Sequence, residues 1–234
     1  MVKWGVLAGA ALFSTPVEAC RLALVLAMDV SSSVDAQEDR LQRGGLAAAL
    51  LADDVQDAFF ISSDPVALLV FEWSGRYNQA NIVDWTLIET PADLQAVSEQ
   101  IGRSSRSHND FATAMGFALG HAANRLRDAP ACLFQTIDVA GDGENNDGFG
   151  PSEAYAAFPF DNVTVNGLVI NGAEFEGETQ LIPFYRDQVI RGPGAFIEIA
   201  NGFADYENAM RRKLIRELTA MVIGQTTIRQ DTQG

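Results

Sequence analysis

The sequence predicts an α/β fold: a doubly wound, mostly parallel six-stranded sheet with one antiparallel edge strand and helices on both faces. Three observations carry this. Apolar runs alternate with helical segments along the whole chain. Most of these runs are continuous rather than alternating, which suits strands covered on both faces. One run, Asn81 to Ile88, does alternate through Ile82, Asp84 and Thr86, and so reads as the edge strand.

The elements follow in order. Leu22 to Met28 is a continuous apolar strand that stops at Asp29. Ser31, Ser32, Ser33 and Asp35 are residues that open helices, and either Ser33 or Asp35 can cap one. Ala36 to Phe60 reads as a single helix, with Leu41, Leu46, Leu50, Leu51 and Val55 at helical spacing. Asp64-Pro65 is a turn, and Val66 to Trp73 a second buried strand whose Phe71 and Trp73 belong to the core. Pro91 opens a helix to about Ile101, and Arg103 to Asn109 is a polar loop. An Ala-rich helix spans Thr113 to Leu126. Cys132 to Val139 is a strand, followed by a Gly/Asn-rich loop from Glu144 to Gly150 that reads as mobile. A short helix at 152–158, a strand at 163–170, a helix at 181–189 and a strand at 196–200 follow. The last helix covers Tyr206 to Ile223, with Leu214, Leu218 and Met221 on its apolar face and a frayed polar tail from 225.

At 47% hydrophobic and 20% charged over 234 residues, the chain has the composition of a folded domain large enough to need no metal or disulfide to fold. A net charge of −15 argues against nucleic acid as a partner. The one basic cluster, Arg211-Arg212-Lys213, has Glu207 and Glu217 nearby and reads as a solvated helix face. Residues 1–19 have the layout of a secretory signal: Lys3, an apolar stretch from Trp4 to Phe13, a break at Ser14-Thr15-Pro16, and Ala19 at the cleavage position. The stretch is too short to span a bilayer, and no later one is long enough to anchor the chain. The expected organisation is a signal at 1–19, one domain at 20–224 and a polar tail at 225–234, with the protein periplasmic or secreted. Cys20 and Cys132 each precede a strand, so a disulfide between them is expected; a lipid on Cys20 is the alternative.

Ligands of such sheets bind beyond the carboxyl ends of the strands. There Asp29, Ser31 and Ser33 place a carboxylate and two hydroxyls at every second position, an extended spacing that turns their oxygens to one side. Asp142 ends another strand between Gly141 and Gly143, and Thr113 begins a helix. Hard oxygen donors of low total charge suit magnesium, with manganese or calcium as other candidates.

These residues resemble the metal-ion-dependent adhesion site of von Willebrand factor type A domains. That family has Asp-x-Ser-x-Ser after the first strand, here Asp29, Ser31 and Ser33. It has a later Thr, here Thr113, and a later Asp followed by Gly, here Asp142-Gly143. The resemblance runs from about Leu22 to Ile223. The segments Asp138 to Asn146, Val165 to Ile170 and Arg191 to Phe196 are further similar to a bacterial exported family of uncharacterised proteins with this domain. The resemblance implies binding rather than turnover: the five residues hold a divalent cation, and a Glu or Asp of a partner protein completes its coordination.

The alternative is a metal-dependent hydrolase or phosphatase using the same pocket. A serine nucleophile needs a base; of the two histidines, His121 falls in the Ala-rich helix, and His108 in the polar loop just before Thr113, where it could stand near Ser31 or Ser33. Neither a Gly-x-Ser-x-Gly elbow nor a second Asp two residues after Asp29 is present, since Ser31 stands there.

Overall fold

The computed structural model describes residues 20–172 and 180–231. The signal read at 1–19 and the end of the polar tail lie outside them. Six strands form one sheet: β1 (Cys20–Asp29), β2 (Val66–Ser74), β3 (Asn78–Ile88), β4 (Cys132–Gly141), β5 (Val163–Ile170) and β6 (Ile197–Ala200). Their order is β3-β2-β1-β4-β5-β6. All neighbours are parallel except β2 and β3, which are antiparallel, so β3 is the edge its alternation predicts. The chain builds outward from β1 in one direction, then returns to its other side with β4. The crevice between the carboxyl ends of β1 and β4 is therefore the switch point at which such sheets bind ligands.

The helices are α1 (Ala36–Leu51), α2 (Asp53–Phe59), α3 (Pro91–Arg103), α4 (Met115–Leu126), α5 (Pro151–Ala157), α6 (Leu181–Phe184) and α7 (Tyr206–Asp231). Strand alternation sorts the core into two layers. Leu22, Leu24, Leu26 and Met28 of β1 face a cluster with Leu46, Leu50, Leu94, Met210 and Leu214. Ala23, Val25 and Ala27 face the other, with Met115, Leu119, Ala122 and Tyr185. Small residues on that second face let the Ala-rich α4 approach closely.

The structure corrects several expectations. The helix read as 36–60 is two, because Ala52 is extended (ψ 136°) and Asp53 and Asp54 open a new first turn, where carboxylates suit the helix dipole. Thr113 does not begin a helix; it precedes α4 by two residues. The segment read as a helix at 181–189 is α6 followed by a π-helical turn, Tyr185–Val189. The backbone of α7 continues to Asp231, past the expected end at Ile223.

The basic trio of α7 also divides. Arg211 and Arg212 are half-exposed and pair with Asp54 and Glu198. Lys213 is not solvated: it is fully buried, 2.8 Å from Asp138 of β4 and 2.5 Å from Glu217, both also buried. A lysine entering the core must meet counter-charge there, and helical spacing alone does not reveal that β4 carries an Asp at this height.

Cys20 and Cys132 are register partners on β1 and β4 and form a disulfide across 112 residues of chain. Both cysteine sulfurs are engaged in that bond, as the expected pairing requires. Among the described residues no helix is long and apolar enough to cross a membrane.

Two outcomes follow from this packing. Cys132→Ser lengthens the unfolded chain's freedom by a large loop and lowers the unfolding free energy by about 2–5 kcal/mol in urea titration; an unchanged midpoint refutes this. Burial pushes the Asp138 carboxyl up to about 7, Lys213 opposing and Glu217 adding to the rise. The folded state then holds a proton that the unfolded chain releases near 3.8. Stability falls as pH rises through that interval, by at most about 1.4 kcal/mol per pH unit from this group. Asp138→Asn flattens the pH profile by that amount between the two values; equal slopes in both proteins refute it. Lys213 and Glu217 are the ionisable neighbours that enter the comparison.

Candidate metal centre

Asp29 ends β1 at the switch point. Its backbone is held there by Gln42 Nε2, which donates to the Asp29 carbonyl at 2.8 Å, and by Val30 N, which donates to Trp73 O at 3.0 Å. The next residues are not extended as the alternate spacing suggested. Val34 N donates to Ser31 O at 3.0 Å, closing a turn over 31–34. Ser31 N donates to Asp29 Oδ1 at 2.7 Å. Asp35 caps α1, accepting from Gln37 N and Glu38 N at 2.6 and 2.8 Å, and Glu38 Oε2 accepts from Asp35 N. Capping therefore falls to Asp35, and Ser33 is left for other work.

All five residues named from the sequence come together. Thr113 Oγ1 donates to Ser31 Oγ at 3.2 Å, Ser31 Oγ lies 3.1 Å from Ser33 Oγ, and Ser33 Oγ donates to Asp142 Oδ1 at 2.8 Å. Asp29, Ser31 and Thr113 are buried, whereas Ser33 is exposed and Asp142 half-buried. The oxygen set thus has a closed side and an open one. On the open side lies a groove of about 700 Å³ lined by Ser33, Asp142, Asp35, Glu38, Leu41 and Phe203, among others.

Asp29 Oδ2 is buried and has no hydrogen-bond partner among the described residues. Burial, with the nearby Asp142 charge adding to it, pushes this carboxyl up to about 8, while the Ser31 hydrogen bonds pull the other way. An unmet buried carboxylate oxygen beside three hydroxyls and a second carboxylate fits a hard divalent cation that takes oxygen ligands. It does not fit a site built from clustered acids, histidines or thiols: among the described residues there is no group of three or more of these.

The sequence reading missed the residues that hold the Thr113 loop. The loop after Asp142 is clamped rather than mobile: Asn146 Oδ1 accepts from Thr113 N at 2.8 Å, while Asn146 N and Asp147 N donate to Thr113 O at 2.9 and 3.1 Å. Asp147 is in turn paired with Arg76. On the other side, Ser32 N donates to Phe111 O at 2.8 Å. The polar loop read from 103 to 109 is tied down by Glu72 of β2, which accepts from Ser107 N and Oγ and pairs with buried Arg43 of α1. Glu72 was visible as the lone charge in an apolar strand; its partners were not. His108 Nδ1 lies 3.0 Å from Ser107 Oγ, and the ring of His121 packs on Phe71.

The doubly wound sheet has a von Willebrand factor type A-like fold, as its likeness to solved structures shows. Proximal thread matrix protein 1 from the mussel byssus superposes with a TM-score of 0.61 at 15% identity, covering 86% of this chain and 48% of that one. A further structure of that protein, described as having a zinc-occupied MIDAS motif, gives 0.58 at 14% identity over 84% of this chain and 48% of the other. A von Willebrand factor type A protein from Catenulispora acidiphila gives 0.57 at 16% identity, covering 86% and 43%. BatB from Bacteroides thetaiotaomicron gives 0.55 at 18%, covering 86% and 98%. The chain thus spans about half the length of the mussel protein. It belongs to the family described as protein of unknown function DUF1194, whose model matches residues 19–222. No curated protein matches it.

The lone buried carboxylate sets a testable cost. Replacing it by its neutral isostere, Asp29→Asn, raises the unfolding free energy of chelator-treated protein by about 1–3 kcal/mol, because an unpaired ionisable oxygen leaves the core. Equal or lower stability of the variant in chelator, measured by urea unfolding, contradicts this reading.

Proposed function

We propose that this protein is an exported recognition module that binds a protein partner through a divalent cation. The observation that carries the proposal is the buried, unpartnered Asp29 Oδ2 at the closed end of a hydroxyl chain that runs to the open Asp142. Asp29, Ser31, Ser33, Thr113 and Asp142 hold the cation; magnesium is the first candidate, with manganese and calcium next. Two carboxylates leave the cation free to attract a further oxygen anion, which a Glu or Asp side chain of the partner supplies on the open side. The residues themselves do the positioning. The turn closed by Val34 N aims both serines, and Asn146 fixes the backbone of Thr113. The zinc-occupied motif of the mussel protein supports metal binding by this fold. The secretory layout of residues 1–19 and the single disulfide support export to an oxidising compartment.

Isothermal titration of magnesium, manganese and calcium into chelator-stripped protein tests the proposal. One saturable site is expected, absent in Asp29→Ala, with a peptide containing Glu retained only in the presence of the cation. No heat with any of the three cations overturns it.

A further inference from the structure

Among the described residues, two neighbouring buried oxygens on the same side of the sheet lack a hydrogen-bond partner. One is Asp29 Oδ2 and the other is the hydroxyl of Tyr185. Both line the space over Gly141 without bonding each other: a Cβ built at that glycine would stand 2.9 Å from Asp29 Oδ2 and 2.8 Å from the Tyr185 hydroxyl. A second glycine makes room for the ring. A Cβ at Gly167 would lie 2.5 Å from Tyr185 Cδ1. Gly167 is the register partner of Val139, two residues before Gly141, so both glycines open onto one sheet face. Two adjacent strands therefore surrender side chains to form a slot, and the Tyr185 ring fills it.

The backbone that delivers the ring is itself unusual. Ile190 N donates to Tyr185 O at 3.0 Å, a π-helical turn, and such turns gather at functional sites. Phenylalanine would fill the same slot without the desolvation cost of burying an unmet hydroxyl. A buried polar atom without a partner calls for a duty in another state of the protein.

We propose that Tyr185 is a positioning residue of the metal centre: its hydroxyl donates the hydrogen bond that holds Asp29 Oδ2 while the cation is bound. This rests on the metal-binding reading above. Ser31 N already holds Oδ1, so the two donors together orient the carboxylate from both oxygens. Groups that orient a metal ligand from behind typically change affinity 10–100-fold when removed.

The test is Tyr185→Phe, which keeps the ring and removes one oxygen. In titrations with magnesium and manganese, affinity is expected to fall about tenfold. The unfolding midpoint of the chelator-treated variant should stay level or rise, which separates this role from a merely structural one. A second readout uses protein with ¹³C-labelled tyrosine rings, four in all. The Tyr185 resonance, identified by its loss in the variant, should shift when magnesium is added to wild type. If the variant does not fold, a wild-type spectrum in which no buried tyrosine shifts on loading overturns the inference on its own. Equal affinities in variant and wild type overturn it while leaving the metal site standing. A wild type that binds no cation removes both.

Discussion

The pairing of β1 with β4 is the constraint on which the rest of this protein depends. These two parallel strands lie at the centre of the sheet and are joined at their amino ends by the disulfide of Cys20 and Cys132. Their carboxyl ends carry Asp29 and Asp142. The chain adds strands outward from each of them, so no crossover covers the crevice at that end. A shift of one residue in this register would turn Asp29 to the opposite face, away from Tyr185 and toward the α1 layer. The disulfide at the far end works against such a slip.

Around that axis the protein buries more charge than stability alone would favour. Arg43 joins Asp39 and Glu72 between α1 and β2, and Lys213 joins Asp138 and Glu217 beneath α7. Both groups lie nearly or fully out of solvent, where an ion pair seldom improves on well-packed apolar residues. Their value lies in what they locate. The Arg43 group sets the path of the loop that leads to Thr113, and the Lys213 group sets α7 on the sheet. Asp29 differs from both because it has no salt-bridge partner among the described residues. That asymmetry separates the structural carboxylates from the one at the centre of the candidate site.

Much of the site is legible in the sequence. Asp29, Ser31, Ser33, Thr113 and Asp142 each stand at or within a few residues of the end of an element whose hydrophobic pattern is plain, so their convergence follows from the strand order. The details behind them were hidden. Asn146 looked like part of a mobile Gly/Asn loop, yet it holds the Thr113 backbone. Lys213 looked solvated because Glu217 is its i+4 neighbour, a spacing equally at home on a surface helix. Tyr185 lay in an ordinary apolar segment, and nothing local distinguishes a π turn from an α-helix.

The sequence by itself determined the class of fold and the edge strand, and it pointed to the cysteine pairing and to the five residues that gather at the switch point. Each of these is written in residue type and spacing along a single element, and burial of apolar faces leaves those patterns few ways to pack. Tertiary structure alone decided which charges lie inside, which loops are clamped and what stands behind Asp29. These depend on residues far apart in the chain, Gly141 with Tyr185 and Asp138 with Lys213, whose meeting is set by helix packing over a twisted sheet rather than by any local preference.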